Sequence, residues 1–212
     1  LAATTVSTIV PSTETPPVVE ATATTAAIAT QDSGQTTPDG IQINKTEISF
    51  LIPNGIANDV ASVMTTEVEF PYINPSFGDM PQHLKLTLTL YALNGKEFEP
   101  QILVFRTAEY AQYSEINANS MSAMKSLQYV DGQPLPEILD RTFSAQIHAV
   151  NFKNGYGVRY LSQVFQNFMP ANNKGLFYYY QGMTDDGQYY VQAILPVNAP
   201  FLPADDNPNT PL

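Results

Sequence analysis

Leu84-Lys85-Leu86-Thr87-Leu88-Thr89-Leu90 alternates apolar and polar residues without a break. Side chains of an extended strand point to opposite faces in turn. Leu84, Leu86, Leu88 and Leu90 therefore share one face, and His83, Lys85, Thr87 and Thr89 share the other. This predicts a half-buried strand, with His83 on its wet side. Asn94-Gly95 follows as a turn, and Gln101 to Arg106, apolar on both faces at Ile102-Leu103-Val104-Phe105, is the next strand. Upstream, Ile48-Ser49-Phe50-Leu51-Ile52 stops at Pro53 and Asn54-Gly55 and predicts a first strand. Ile56 to Met64 has weak helical spacing, which predicts one or two helical turns. Phe70 to His83 carries Pro71, Pro75, Gly78 and Pro81 and predicts a long irregular loop.

Thr107 to Gln128 predicts the one long helix. Thr107 can cap it, Glu109 and Glu115 suit its N-terminal half, and Tyr113, Ile116, Ser120, Met124 and Leu127 form a narrow stripe at spacings of three and four. Val130 to Phe143 then holds turn residues, with room for one helical turn at Glu137–Asp140. Two hairpins finish the chain. Ala145 to Phe152 and Val158 to Phe165 flank Asn154-Gly155, a strong hairpin signal, with Phe152 expected opposite Gly157 and Val150 opposite Arg159. Leu176–Met183 and Tyr189–Leu195 flank Thr184-Asp185-Asp186-Gly187. Either a two-residue loop or a turn with a glycine bulge fits there, so that register stays open. Strands joined by tight turns pair antiparallel. The expected fold is α+β: a twisted, mainly antiparallel sheet of about six strands with one long helix packed on a face.

The chain has 212 residues, 9 Lys+Arg against 20 Asp+Glu, a net charge of −11 and no Cys or Trp. A general nucleic-acid binder needs a basic footprint, and an anionic membrane surface would repel this chain. Without Cys there is no disulfide framework, thiolate metal site or cysteine nucleophile. Leu1 to Gly40 differ from the rest. They hold 11 Thr, 7 Ala and 4 Pro, with no basic or aromatic residue. Too few large side chains are present to repay the entropy of ordering them, so residues 1–40 are expected to be a disordered spacer. Residues 41–202 are expected to form the single domain, and 203–212, rich in Pro, Asp and Asn, a disordered tail. No signal-peptide pattern opens the chain. A Thr/Ala/Pro spacer before a Cys-free body points to an exported protein. The sequon Asn44-Lys45-Thr46 is a single match.

Catalytic and metal signals are sparse. His83 and His148 are the only imidazoles and have no metal-ligand spacing. They read as a surface and a packed histidine. Asp185-Asp186 sits before a glycine in a hairpin, where aspartate bonds local amides, and reads as turn chemistry. Gly155 and Gly157 have no helix after them, so they do not form a phosphate loop. No cofactor and no metal is expected. The aromatics carry more information. Seven of the 12 Tyr lie between Tyr156 and Tyr190. By alternation, Tyr178-Tyr179-Tyr180 must place rings on both sides of the sheet. One helix covers one side only, so an aromatic face carrying Tyr179 and Tyr190, or their neighbours, is expected to be open for contact.

The stretches Asn154-Gly155-Tyr156-Gly157-Val158-Arg159-Tyr160-Leu161, Leu176 through Val191 ("LFYYYQGMTDDGQYYV") and Ile194-Leu195-Pro196-Val197 resemble a set of uncharacterised bacterial envelope lipoproteins. The resemblance spans Ile48 to Pro203. It implies export, one α+β domain behind a Thr/Ser/Pro spacer, and a lipid tether on a Cys that this chain does not contain. No catalytic residue carries over. The function expected is a tethered extracytoplasmic binding or accessory module, monomeric, at the cell surface or on a membrane. Its partner is expected to be a protein or glycan of the envelope, not nucleic acid. Its binding residues are expected to be Tyr178, Tyr179, Tyr180, Tyr189, Tyr190, Tyr160 and Arg159. The alternative is an extracellular hydrolase with a dispersed Asp/Glu/His site.

Overall fold

The alternating leucines do form a strand, in a chain that is mostly antiparallel β. In the computed structural model the described residues are 30–31, 35–45, 47–65, 80–126, 141–164 and 170–207. They form β1 (Thr30–Gln31), β2 (Gln35–Thr37), β3 (Gly40–Asn44), β4 (Ser49–Pro53), β5 (Asp59–Thr65), β6 (His83–Thr89), β7 (Gln101–Arg106), α1 (Thr107–Tyr113), α2 (Glu115–Ser126), β8 (Arg141–Phe152), β9 (Gly155–Val164), β10 (Phe177–Thr184) and β11 (Tyr189–Pro196). An eight-stranded sheet runs β1-β5-β6-β7-β11-β10-β9-β8, and a second sheet runs β2-β3-β4. Every pairing is antiparallel. The α+β expectation with one long helix is therefore corrected to an antiparallel β fold with, among the described residues, two short helices.

The helix divides at Ser114, whose backbone is extended at φ −153° and ψ 161°. Ser114 Oγ accepts the Asn117 N–H at 3.2 Å, so the serine caps the second helix and ends the first. That break rephases the apolar stripe. Tyr110, Met121 and Met124 are buried, whereas Ile116 is exposed. Thr107 does not cap α1: the N-cap position is Arg106 and no side chain bonds there. Ile56 to Met64 is not helical. Its second half is β5, where Val60 and Ser62 alternate inward. His83 is also not on a wet face. It is 4% exposed, stacked on Phe105 at 4.9 Å, and its Nδ1 meets the Pro81 carbonyl at 2.8 Å. Most of the Phe70–His83 loop, the Glu137–Asp140 turn and residues 127–128 lie outside the described residues.

Two meanders, β5 to β7 and β8 to β11, meet where β11 pairs with β7. The chain leaves β7 through α1 and α2 before it reaches β8 at the far edge of the sheet. Tyr110, Met121 and Met124 join Leu103, Phe105, Tyr160, Tyr179 and Tyr190 in one core. On the opposite face, Ile43 and Ile52 of the small sheet pack on Val60, Leu86, Leu88, Val104 and Val191. The large sheet thus lies between helices and a second sheet, and both of its faces supply core. Gly40 permits this at φ +152°, a backbone conformation side chains disfavour. A Cβ there would also run into the Ile52 backbone.

Pairing reaches upstream of Ile41, since Gln35–Thr37 is hydrogen-bonded to β3 and Thr30–Gln31 to β5. Residues 1–29 lie outside the described set. At the other end, the Pro203 carbonyl accepts the Asn173 N–H at 2.8 Å, and residues 208–212 are not described.

Candidate functional site: the open half of the sheet

The hairpin signal at Asn154-Gly155 lies where a turn forms, but the turn residues are Lys153 and Asn154. Phe152 pairs with Gly155, Val150 with Gly157 and His148 with Arg159. The expected register is corrected by two residues, which leaves the faces unchanged because side chains alternate with a period of two. The second hairpin closes with Gly187 N–H on the Thr184 carbonyl at 2.8 Å and Gly187 at φ +68°. Asp186 Oδ1 accepts from Thr184 Oγ1 at 2.6 Å and from Gln188 N–H at 2.9 Å. These bonds stabilise the carboxylate and lower its pKa. Asp186 is therefore occupied inside the turn.

Parity separates the seven predicted residues into two groups. Tyr160, Tyr179 and Tyr190 face the helices and are 0%, 1% and 0% exposed. Burial raises the phenols of Tyr179 and Tyr190, the latter to about 12. Tyr190 Oη accepts Gln181 Nε2 at 2.8 Å and Gln192 Nε2 at 3.2 Å, and Gln192 Nε2 also reaches Tyr110 Oη at 3.2 Å. This is a buried polar network that registers two strands and a helix. No contact with a partner is open to these three side chains.

Tyr178, Tyr180, Tyr189 and Arg159 point the other way. Tyr180 and Tyr189 both pack against the core beside the small sheet. Across β10, β9 and β8 the rows are Tyr178–Leu161, Tyr180–Arg159–His148, Gly182–Gly157–Val150 and Thr184–Gly155–Phe152. Arg159 is exposed, and its guanidinium carbon lies 5.7 Å from the Tyr178 ring centroid, in cation–π range. Tyr178, Leu161, His148 and Val150 are half-buried, and Phe152 is exposed.

Three glycines shape the floor. Tyr180 folds along its own strand so that its hydroxyl end covers Gly182 and reaches Gly157. The Phe152 ring covers Gly155 in the same way and lies 6.3 Å from Tyr180, edge to face. Aromatic rings laid over strand glycines restore the packing that a missing Cβ loses. Tyr180 Oη is buried without a hydrogen-bond partner, and burial raises its pKa. The result is a smooth strip with an arginine–tyrosine stack at one end and an aromatic edge at the other.

Alternation puts His148, Val150, Arg159 and Leu161 on one face and separates Tyr178 and Tyr180 from Tyr179, but it does not say which face is covered, and the expectation of an open Tyr179 and Tyr190 fails because both are buried. Phe152 and the glycines were not singled out. Their signal was available: Gly155, Gly157 and Gly182 recur at every second position or face one another once the register is right.

Among the described residues no three His, Asp or Glu gather in a way that could hold a metal ion. No described helix is long and apolar enough to cross a membrane. No known family model matches the chain, and neither a curated protein nor a solved structure matches it.

Proposed function

We propose that this chain is a binding module, tethered outside the cytoplasm, that holds a protein partner on the open half of its large sheet. The observation that carries this reading is the Arg159–Tyr178 stack, at the other end of the same strip from the exposed Phe152. Arginine and aromatic residues supply most of the energy at protein interfaces because they bring large contact area and directed polar groups together. In a chain of net charge −11, this strip carries Arg159, with His148 beside it and Lys153 in the adjoining turn. A carboxylate-bearing partner segment suits it. Tethering outside the cytoplasm rests on the Thr/Ala/Pro-rich first forty residues and the resemblance of the hairpins to envelope lipoproteins. The test is a photoreactive residue at position 178 in the cells that make the protein. One discrete protein adduct that Arg159→Ser abolishes is expected.

A further inference from the structure

A second feature of the same sheet face lies at its other end and does not depend on the hairpin strip. Met64, Leu84 and Val104 stand in register across β5, β6 and β7. One row further on, Arg106 of β7 faces Tyr189 of β11. Together they line a cleft of about 220 Å³, with Glu47 from the β3–β4 connection and Glu109 from α1 on its walls. Met64 is 48% exposed and gives the cleft its apolar surface, Leu84 and Val104 beneath it are buried, and Gln82 and His83 complete the lining. Beside that surface are charges of both signs.

Arg106 lies over the Tyr189 ring at 5.9 Å, and its Nε is 3.9 Å from Glu109 Oε1, the outer limit of an ion pair. The guanidinium has five N–H donors in a fixed fork that matches a carboxylate, and this loose contact commits few of them. A simple carboxylate ligand would meet Glu47 and Glu109. A simple amine would leave Arg106 unused. A ligand with both charges and an apolar body matches Arg106, the two carboxylates and the exposed Met64 together. The volume is below the roughly 300–1,000 Å³ of sites for drug-sized molecules, so the ligand is small.

We propose that the cleft binds a free α-amino acid with an apolar side chain. Its carboxylate would sit on Arg106, its ammonium on the Glu47 and Glu109 carboxylates, and its side chain over Met64, Leu84 and Val104. Titration calorimetry on the full chain tests this with L-leucine and L-methionine against 3-methylbutylamine and 4-methylpentanoate, which each carry one of the two charges. Saturable one-to-one binding of an amino acid is expected, with the half-molecules about ten- to a hundredfold weaker, the value of one charge-assisted contact. Arg106→Gln should weaken leucine by a similar factor and abolish its advantage over the amine. Glu109→Gln, a second exposed position, should weaken leucine and narrow its advantage over the acid, since Glu47 remains. Both variants should keep the melting temperature of the parent. The proposal is overturned if no amino acid gives saturable heat. It is equally overturned if either half-molecule binds as well as leucine, or if both folded variants bind leucine unchanged.

Discussion

Gly182→Ala puts a Cβ where the Tyr180 side chain now lies. The new atom would sit 2.5 Å from Tyr180 Cζ, closer still to Oη, and 2.9 Å from the Tyr156 carbonyl. Real Cβ contacts do not occur inside 3.0 Å, so the ring must swing off the sheet. Overpacking of this kind costs about 1–3 kcal/mol. For a chain of this size each kcal/mol lowers the melting temperature by about 2–4 °C, so a fall of about 2–12 °C is expected. The phenol is free to move, because its hydroxyl has no partner to lose. Gly157→Ala differs. Its Cβ would strike the Gln181 carbonyl and lie 2.7 Å from Gly182 Cα, both backbone atoms of β10. Its cost should exceed that of Gly182→Ala, since two paired strands must separate. Tyr180→Ala removes the obstacle at 182 but not the one at 157. In that background only the 2.9 Å approach to the Tyr156 carbonyl remains, so Gly182→Ala should cost clearly less than in the parent, with a coupling of about 0.5–3 kcal/mol, whereas Gly157→Ala should remain costly. Urea unfolding of the two double-mutant cycles reads both numbers. Equal cost of Gly182→Ala with and without the Tyr180 ring would refute the packing of tyrosine over glycine.

The two buried phenols differ in the same spirit. Tyr190→Phe strands the Gln181 amide without its acceptor, leaves Gln192 Nε2 only Tyr110 Oη, and should cost about 1–3 kcal/mol, while Tyr180→Phe, which removes an unpartnered hydroxyl, should be neutral or stabilising in the same unfolding assay. His83 supplies a pH dependence. Burial lowers its pKa below the ordinary 6.5, against the opposing bond to the Pro81 carbonyl. The unfolded chain therefore takes up a proton at a higher pH than the folded one. Stability from this site is intact above about pH 6.5 and falls as the pH drops below it, until the folded histidine also protonates. The parent should lose more stability than His83→Gln between pH 7 and pH 5 by urea unfolding. Equal losses would show that the buried imidazole is not the source.

The alternation of Leu84 to Leu90, the apolar run of β7 and the two C-terminal hairpins were legible because each is a local pattern with a turn signal beside it. Leu90 itself leaves the strand, at φ +52° and 74% exposed, since its inward place in the register is already past the end of β6. The division at Ser114 was also local: a serine followed by Glu115 and by Asn117 at the third helical position is a helix start. It was obscured by good spacing on either side. β5 was harder, because the inward Ser62 breaks the apolar pattern that would mark a strand. The small sheet and the insertion of β11 between β7 and β10 were not legible, because both depend on contacts distant in sequence. That limit also governs the site. Alternation shows that Tyr178 and Tyr180 share a face and that Tyr179 does not. Which face is covered depends on where the helices and the small sheet dock, and the helices cover Tyr160, Tyr179 and Tyr190.

The binding face is tested most directly by photocrosslinking in the cells that make the protein. A photoreactive residue replaces Tyr178 on the strip, and in a control replaces Asn119, which is exposed on α2. One discrete protein adduct from position 178, absent from 119 and lost when Arg159→Ser is added, is the predicted result. No adduct at 178, the same adducts from both positions, or an adduct that is carbohydrate rather than protein would contradict it.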